Sequence, residues 1–413
     1  MPTSDELRML QALPLDLKVR RTEQRIREWV DYWGKDHVCV SFSGGKDSTV
    51  LLHIVRKMYG DEIPAVFVNT GLEYPEVQRH VRKFKNVVVL RPKMNFRDVI
   101  TKYGYPVVSK EISQCIYEAR RYYSNFVNVE REREREREER ADVWIPRQIK
   151  KLFGIGEFAL RSRGARSGTH EPIARSRQVG KDDEGEYPSK NSRFSAVKYQ
   201  PLLWADFEIS HICCKAIKKD PINAYLRETG RHSIIGTMAA ESFIRRNAWI
   251  RYGCNSFEGK NPSSKPMSFW TEQDVLQYIL ENHLQIADCY GEILPIGNDG
   301  QMMLDVNCKY KCTGCQRTGC IFCGFGAQGD GRFVDLAQTH PKQYAYCING
   351  GAYDPEDGFW KPTKDGLGMG HVFDEMNRLL LTKTGRPYIR YLPEGGEMER
   401  ARKLDEEKKK AQS

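Results

Sequence analysis

No stretch of this 413-residue sequence approaches the roughly 18 apolar residues that a membrane-spanning helix needs. Mean hydropathy is low, at −0.62. The N-terminus, MPTSDELRMLQALPLDLKVRR, is mixed in charge and lacks an apolar signal core, so neither export nor a membrane partner is expected. An internal repeat is also missing, which excludes solenoid architectures. No single charge dominates: 65 Lys and Arg stand against 55 Asp and Glu, a formal net charge of +10. What is present suffices for a core. Hydrophobic residues make up 40% and aromatics 11%, so a disordered or fibrous chain is excluded, and the length suggests two or three structural units. Twelve cysteines without a signal segment argue against a disulfide scaffold. They point to a reduced, cytoplasmic setting in which thiolates bind metal or do chemistry.

Charge and apolar patterning divide the chain. From Glu130 to Arg140 the sequence is built of Glu and Arg alone, a run that suits a solvated helix laced by i,i+4 pairs, or disorder. Arg161 to Lys198 is rich in Arg, Ser, Gly and Lys and poor in aliphatic residues, as in a flexible basic insertion. The expected division is a discontinuous α/β domain over 1–125 and 199–300, the insertion over 126–198, and a cysteine-rich region over 301–413 ending in a frayed tail, LDEEKKKAQS. Within the α/β part, short β-branched runs predict strands at His37–Phe42, Ala65–Asn69, Asn86–Leu90 and Ser233–Gly236. Continuously apolar strands suit a parallel sheet covered on both faces. Helices are predicted over Ser48–Tyr59, stopped by Gly60, and over Thr271–His283, where Thr271 can cap with Asp274 at the third position. The fold class that follows is a doubly wound α/β sheet with ligands at the carboxyl ends of its strands.

Ser43-Gly44-Gly45-Lys46-Asp47-Ser48 joins the first strand to the first helix. Its glycines let the backbone approach a ligand. The amides of the helix start and the hydroxyls of Ser43 and Ser48 make an anion site suited to phosphate. It is not a Walker A loop, since Asp47 rather than Ser or Thr follows Lys46. An ordinary glycine-rich turn is the bland alternative, and the strand–loop–helix context disfavours it.

SFSGGKDSTVLLH resembles the PP-loop of the ATP-pyrophosphatase (adenine nucleotide alpha hydrolase-like) superfamily, and of its phosphoadenylyl-sulfate (PAPS) reductase family in particular. Four further elements, in order, carry the likeness along most of the chain outside the insertion. They are Asn69-Thr70-Gly71-Leu72-Glu73-Tyr74-Pro75-Glu76; His211-Ile212-Cys213-Cys214 with Lys215, Lys218 and Pro221; Gly236-Thr237 through Glu241-Ser242 with Arg245 and Arg246; and Trp270-Thr271 with Asp274, followed by Tyr290-Gly291. Met238 stands where the family's third element usually has Arg. The resemblance implies a PP-loop (HUP-like) fold and an adenine nucleotide, ATP or PAPS, with Mg²⁺. Lys46 and Asp47 become candidate catalytic residues beside the phosphate cradle of Ser43 to Ser48, and Gly236 and Thr237 candidate nucleotide-binding residues. Asn69 and Thr70 are candidates for the nucleoside. Arg245, Arg246 and Lys110 suit phosphate or sulfate oxygens, with Glu241 orienting the arginines.

Cys308, Cys312, Cys315, Cys320 and Cys323 fall within sixteen residues, and Cys213-Cys214 lies upstream. Closely spaced thiolates bind zinc or iron–sulfur clusters; four residues between Cys315 and Cys320 is tight for a zinc ribbon. By resemblance to iron–sulfur adenylylsulfate reductases, Cys213, Cys214, Cys320 and Cys323 would hold a 4Fe–4S cluster, with zinc the alternative. Cys315 is a candidate fourth ligand of another set, or a reactive catalytic thiol. Cys39, Cys115, Cys254, Cys289 and Cys347 suit packing.

Two departures bear on the reaction. Sulfonucleotide reductases use a tail cysteine in a Glu-Cys-Gly-(Ile/Leu)-His context, whereas this chain ends in AQS and its last cysteine is Cys347. The loop also keeps the full form that accompanies cleavage of ATP to AMP and pyrophosphate. The leading expectation is therefore adenylation or pyrophosphatase chemistry coupled to iron–sulfur-dependent sulfur transfer, from a sulfur donor to an acceptor. A nucleic acid would suit the basic insertion as acceptor; a solubilising linker is the other reading of that segment. Reduction of PAPS or adenylylsulfate to sulfite with a thioredoxin-like reductant, Cys315 or Cys347 replacing the tail cysteine, is the alternative. A nucleotide-binding regulatory module is the third. Oligomeric state, a homo-oligomer included, stays open.

Overall fold

The computed structural model of the chain describes residues 2–133, 152, 196–259, 261–296, 309–328, 331–380 and 386–393. The rest of the Glu/Arg run after Arg133, nearly all of the basic insertion, Cys308 and the charged tail lie outside them. The described chain forms two compact units, one of residues 1–95 and 214–321 and one of residues 96–213 and 322–413.

In the first unit each β-branched run becomes a strand: β1 (Val38–Ser41), β2 (Ala65–Val68) and β3 (Val87–Leu90). The chain then enters the second unit, where β4 (Val107–Val108) lies. It returns to the first unit for β5 (His232–Ile235), β6 (Asn255–Ser256) and β7 (Ser263–Ser264). The sheet order is β3-β2-β1-β5-β7-β6. All pairings are parallel except β6 with β7. Val38, Cys39 and Val40 are fully buried, as central strands of a parallel sheet are when both faces are covered. Strand order turns around β1, which has β2 on one side and β5 on the other. The loop after β1 therefore opens into the crevice where doubly wound sheets bind ligands.

Four helices surround the first three strands in sequence. α1 (Ser4–Gln11) and α2 (Leu15–Trp33) precede the sheet; α3 (Lys46–Tyr59) leads from β1 to β2, and α4 (Pro75–Val81) from β2 to β3. α3 starts two residues before the expected Ser48, because Gly45 takes the N-cap position and its carbonyl already accepts the Thr49 amide at 3.0 Å. Val50, Leu51, Leu52, Ile54 and Val55 on α3 are fully buried, packed in one core with Trp29 of α2 and Trp270. Helix Glu272–Glu281 carries the capping box expected of Thr271 and Asp274. Beyond it, β8 (Ile293–Ile296) pairs antiparallel with β9 (Lys309–Cys312), Ile293 opposite Cys312.

The second unit holds helix Lys110–Arg133, helices Arg332–Thr339, Pro341–Ile348 and Met369–Leu379, and three further strands. β10 (Gly324–Phe325) pairs parallel with β4, and β11 (Ala352–Tyr353) pairs antiparallel with β12 (Trp360–Lys361). The units part after Asn95, Cys213 and Ile321. Pairing of β4 with β10 joins the segment after Asn95 to the one after Ile321. Among the described residues no helix is long and apolar enough to cross a membrane.

Candidate nucleotide site

The loop after β1 is held by its own polar groups. Gly44 has φ +72°, and a Cβ there would meet Val77 and Val81 of α4 at 2.8 and 2.6 Å, so only glycine fits. The Ser48 hydroxyl donates to the Gly45 carbonyl at 2.9 Å and accepts from the Ser43 amide at 3.2 Å; the two serine hydroxyls lie 3.0 Å apart. Lys46 is 3% exposed, and its Nζ donates to the Gln316 carbonyl at 2.8 Å and pairs with Glu272 at 3.0 Å. The Lys46 amide, the first of the helix, donates to the Tyr290 hydroxyl at 3.1 Å, which in turn lies 2.7 Å from the Thr318 hydroxyl. Burial pushes the Tyr290 phenol upward in pKa, so it stays protonated.

The charge around the loop is mostly positive. Asp47 is half-buried, and its Oδ1, itself out of solvent, has no hydrogen-bond partner. Burial raises its pKa, against the pull of Lys46, while Glu272 raises it and Arg317 and Arg245 lower it. Arg245 is itself depressed, by burial and then by Arg317; Lys265 is depressed by burial and then by Arg245. Arg317 thus acts against Arg245, and Arg245 against Lys265, while Lys46, Arg245 and Arg317 all act on Asp47. Like charges gathered this way suit a site for an anion. A cleft of about 240 Å³ opens at the carboxyl ends of β1 and β2, lined by Ser43, Val68, Glu73, Tyr74, Lys218 and Thr318 among others.

Other candidates are placed less directly. Asn69 Oδ1 accepts the Gly71 amide at 3.1 Å, and the Thr70 hydroxyl donates to Glu73 at 2.7 Å, so both side chains shape their own turn. Gly236 packs against the loop, a Cβ there lying 3.2 Å from the Asp47 carbonyl; the Thr237 amide folds back on Ile235. Glu241 takes the Met238 amide and pairs with Arg245, whereas Arg246 bonds Ser4 of α1. Lys110 belongs to the second unit. Tyr290, Glu272, Gln316, Arg317 and Thr318 had no role assigned from sequence. Tyr290 stood in a recognised dipeptide, but the other four carry no spacing signal.

Of the four expected cluster ligands, Cys214 and Cys320 fall in the first unit and Cys213 and Cys323 in the second. Burial raises the Cys320 pKa, against a hydrogen bond from Lys218; Cys214 and Glu73 act on it as well. Cys315 lies beside Cys289, its amide donating to the Cys289 carbonyl at 2.8 Å; burial and then Cys315 push Cys289 to about 12. Among the described residues no three His, Cys, Asp or Glu side chains are gathered as a metal cage.

A glycine-rich loop at the switch point of a doubly wound sheet, opening a helix whose first residue is a buried lysine, defines the class: an α/β nucleotide-binding protein with a PP-loop. The phosphoadenosine phosphosulfate reductase domain model matches residues 37–146 and 182–324, and the chain belongs to that family. It is also 39% identical over 77 residues to an uncharacterized protein of Methanocaldococcus jannaschii, covering 17% of this chain and 16% of that one. It is 46% identical over 50 residues to the glutamine-hydrolyzing GMP synthase of Thermomicrobium roseum, covering 12% and 10%. The chain spans less than a fifth of the length of these relatives. Among solved structures, the phosphoadenylyl-sulfate reductase from Candida auris in a phosphate complex aligns over 70% of this chain and 91% of its own, at 11% identity and a TM-score of 0.32.

Proposed function

We propose that the first unit binds ATP, or a related adenylyl nucleotide, at the loop from Ser43 to Ser48 and uses it for adenylation, with pyrophosphate as leaving group and sulfur transfer as the following step. The observation that carries this reading is the intact loop, with buried Lys46 at its helix start and Asp47 among Lys46, Arg245 and Arg317. An acceptor oxygen attacks the α-phosphorus, the bond to the bridging oxygen breaks, and pyrophosphate leaves. The Lys46 amide and ammonium, once they release Tyr290 and Gln316, hold that departing charge. Asp47, with one buried oxygen unpartnered, is the residue that would hold Mg²⁺, which neutralises charge developing on the phosphates. The outer sulfur of a persulfide donor then displaces AMP from the adenylylated acceptor, and an external dithiol cleaves the resulting acceptor–S–S–donor bond, leaving the thiolated acceptor, the donor thiol and an oxidised dithiol.

Support for the alternative, reduction of PAPS or adenylylsulfate to sulfite by an external dithiol, comes from the family model. A 4Fe–4S cluster or zinc on Cys213, Cys214, Cys320 and Cys323, a cytoplasmic setting and a nucleic-acid acceptor belong to the same proposal. Iron, zinc and labile-sulfide content of anaerobically purified protein test the metal. For the reaction, protein is incubated with ATP and Mg²⁺, and separately with PAPS and thioredoxin. Pyrophosphate release, lost in Lys46→Ala, is the expected outcome. Sulfite without pyrophosphate overturns it in favour of reduction, and binding without turnover of either overturns it in favour of a regulatory module.

A further inference from the structure

The segment Gln316-Arg317-Thr318 lies directly on the phosphate loop. Its two ends are anchored there: the Gln316 carbonyl takes the Lys46 ammonium at 2.8 Å, and the Thr318 hydroxyl sits 2.7 Å from the Tyr290 hydroxyl that covers the Lys46 amide. Contact is close, since a Cβ on Gly45 would lie 3.2 Å from both Thr318 and Tyr290. Between these anchors stands Arg317, exposed and, among the described residues, without a salt-bridge-length partner. Its charge acts on Asp47 and against Arg245.

We infer that Arg317 reads the anionic group beyond the α-phosphate of a bound adenylyl nucleotide, whether the β,γ-diphosphate of ATP or the sulfate of an adenylyl sulfate. Lys46 is paired with Glu272 and Arg245 with Glu241, which leaves the Arg317 charge to be met by a ligand anion. A planar guanidinium fork matches phosphate or sulfate oxygens in pairs. Lys46 is tied to the start of α3, whereas Arg317 is carried, exposed, on the covering segment between Gln316 and Thr318. The competing role, a counter-ion for Asp47 alone, makes Arg317 a matter of stability and not of ligand choice.

This inference rests on the nucleotide reading above, and the test separates the two. Affinities of the full chain and of Arg317→Ala and Arg317→Lys are measured calorimetrically for ATP, PAPS, adenosine 3′,5′-bisphosphate and AMP, with melting temperature recorded for each protein. The expected result is a loss of about tenfold or more in Arg317→Ala for ATP, PAPS or both, a change within about twofold for AMP, and partial recovery in Arg317→Lys. A loss confined to ATP assigns Arg317 to the diphosphate, and one confined to PAPS, and absent for adenosine 3′,5′-bisphosphate, assigns it to the sulfate. Equal losses for all four ligands, or none, overturn the inference while leaving nucleotide binding in place. Wild-type protein that binds none of them overturns both.

Discussion

The Lys18 ammonium lies 2.7 Å from each carboxylate oxygen of Asp274, across 256 residues of chain. Both side chains are buried, at 2% and 8% exposure. Asp274 Oδ2 also accepts the Thr271 amide at 2.6 Å and the Thr271 hydroxyl at 2.8 Å. One turn along α2, Thr22 accepts the Trp270 indole N–H at 2.9 Å and donates to the Pro266 carbonyl at 3.3 Å. The Trp-Thr-x-x-Asp element therefore fastens α2 to the sheet domain, and the same domain bears Glu272 beside Lys46.

Removing Asp274 leaves the Lys18 charge buried without its carboxylate. Asp274→Ala is expected to cost about 3–5 kcal/mol, against about 1 kcal/mol for Thr271→Ala, which removes only the cap. The double variant Lys18→Met with Asp274→Leu should cost less than Asp274→Ala alone, because no stranded charge remains. Urea unfolding of the three proteins checks the order. A double variant no more stable than Asp274→Ala would show that the pair is not what the single change disrupts.

In the second unit Arg120 binds a turn of backbone. Its guanidinium donates to the carbonyls of Leu202, Leu203, Ala205 and Phe207 at 2.7–3.2 Å, with Glu208 at 3.4 Å. A lysine has one nitrogen and cannot span four acceptors. Arg120→Lys and Arg120→Ala should both destabilise by roughly 2–5 kcal/mol through carbonyls left unsatisfied. Limited proteolysis within 196–210 reads this locally; resistance equal to wild type in Arg120→Lys would refute the clasp.

His80 of α4 is held neutral. Burial first, then Lys83, pulls its pKa from 6.5 to about 4, with Asp288 opposing, and its Nε2 lies 3.2 Å from the Thr49 hydroxyl on α3. A depressed histidine takes up its proton more readily in the unfolded chain. Stability from this group is thus present above pH 6.5 and drains away as pH falls toward about 4. Between about pH 7 and about pH 5 the loss is on the order of 2 kcal/mol. Denaturant midpoints of wild type and His80→Gln over that range check it: the Gln variant should show the shallower pH slope.

Strand placement was legible because four β-branched runs each had one use, a buried parallel strand. The phosphate loop was legible because Gly44 and Lys46 sit in a local motif whose geometry is set by neighbours in sequence. The residues that cover that loop were not. Tyr290, Gln316 and Thr318 lie about 250 residues downstream of Lys46, and their contacts follow from how the hairpin of β8 and β9 closes, which no local pattern encodes. The cysteine spacing drew attention to Cys315 and Cys320, while Arg317 between them carried the charge that Asp47 feels.

Asp47 gives the sharpest test of the site. Burial raises its pKa above the ordinary 3.8; Lys46, Arg317 and Arg245 pull it down and Glu272 pushes it up, with a net rise. The native state therefore holds the Asp47 proton more tightly than the unfolded chain does. Stability from this group is lost as pH climbs from about 4, and the whole cost is borne once the native carboxyl has ionised. Asp47→Asn removes that cost. Its melting temperature should exceed that of wild type near neutral pH, with the difference closing as pH falls toward about 4. The same variant lacks the carboxylate offered to Mg²⁺, so Mg²⁺–ATP should raise the melting temperature of wild type and do little for Asp47→Asn. A more stable protein that no longer answers to nucleotide is the pattern of a residue kept for its ligand at the expense of the fold. An Asp47→Asn protein that melts at or below wild type at neutral pH would show instead that the surrounding cations already satisfy the carboxylate.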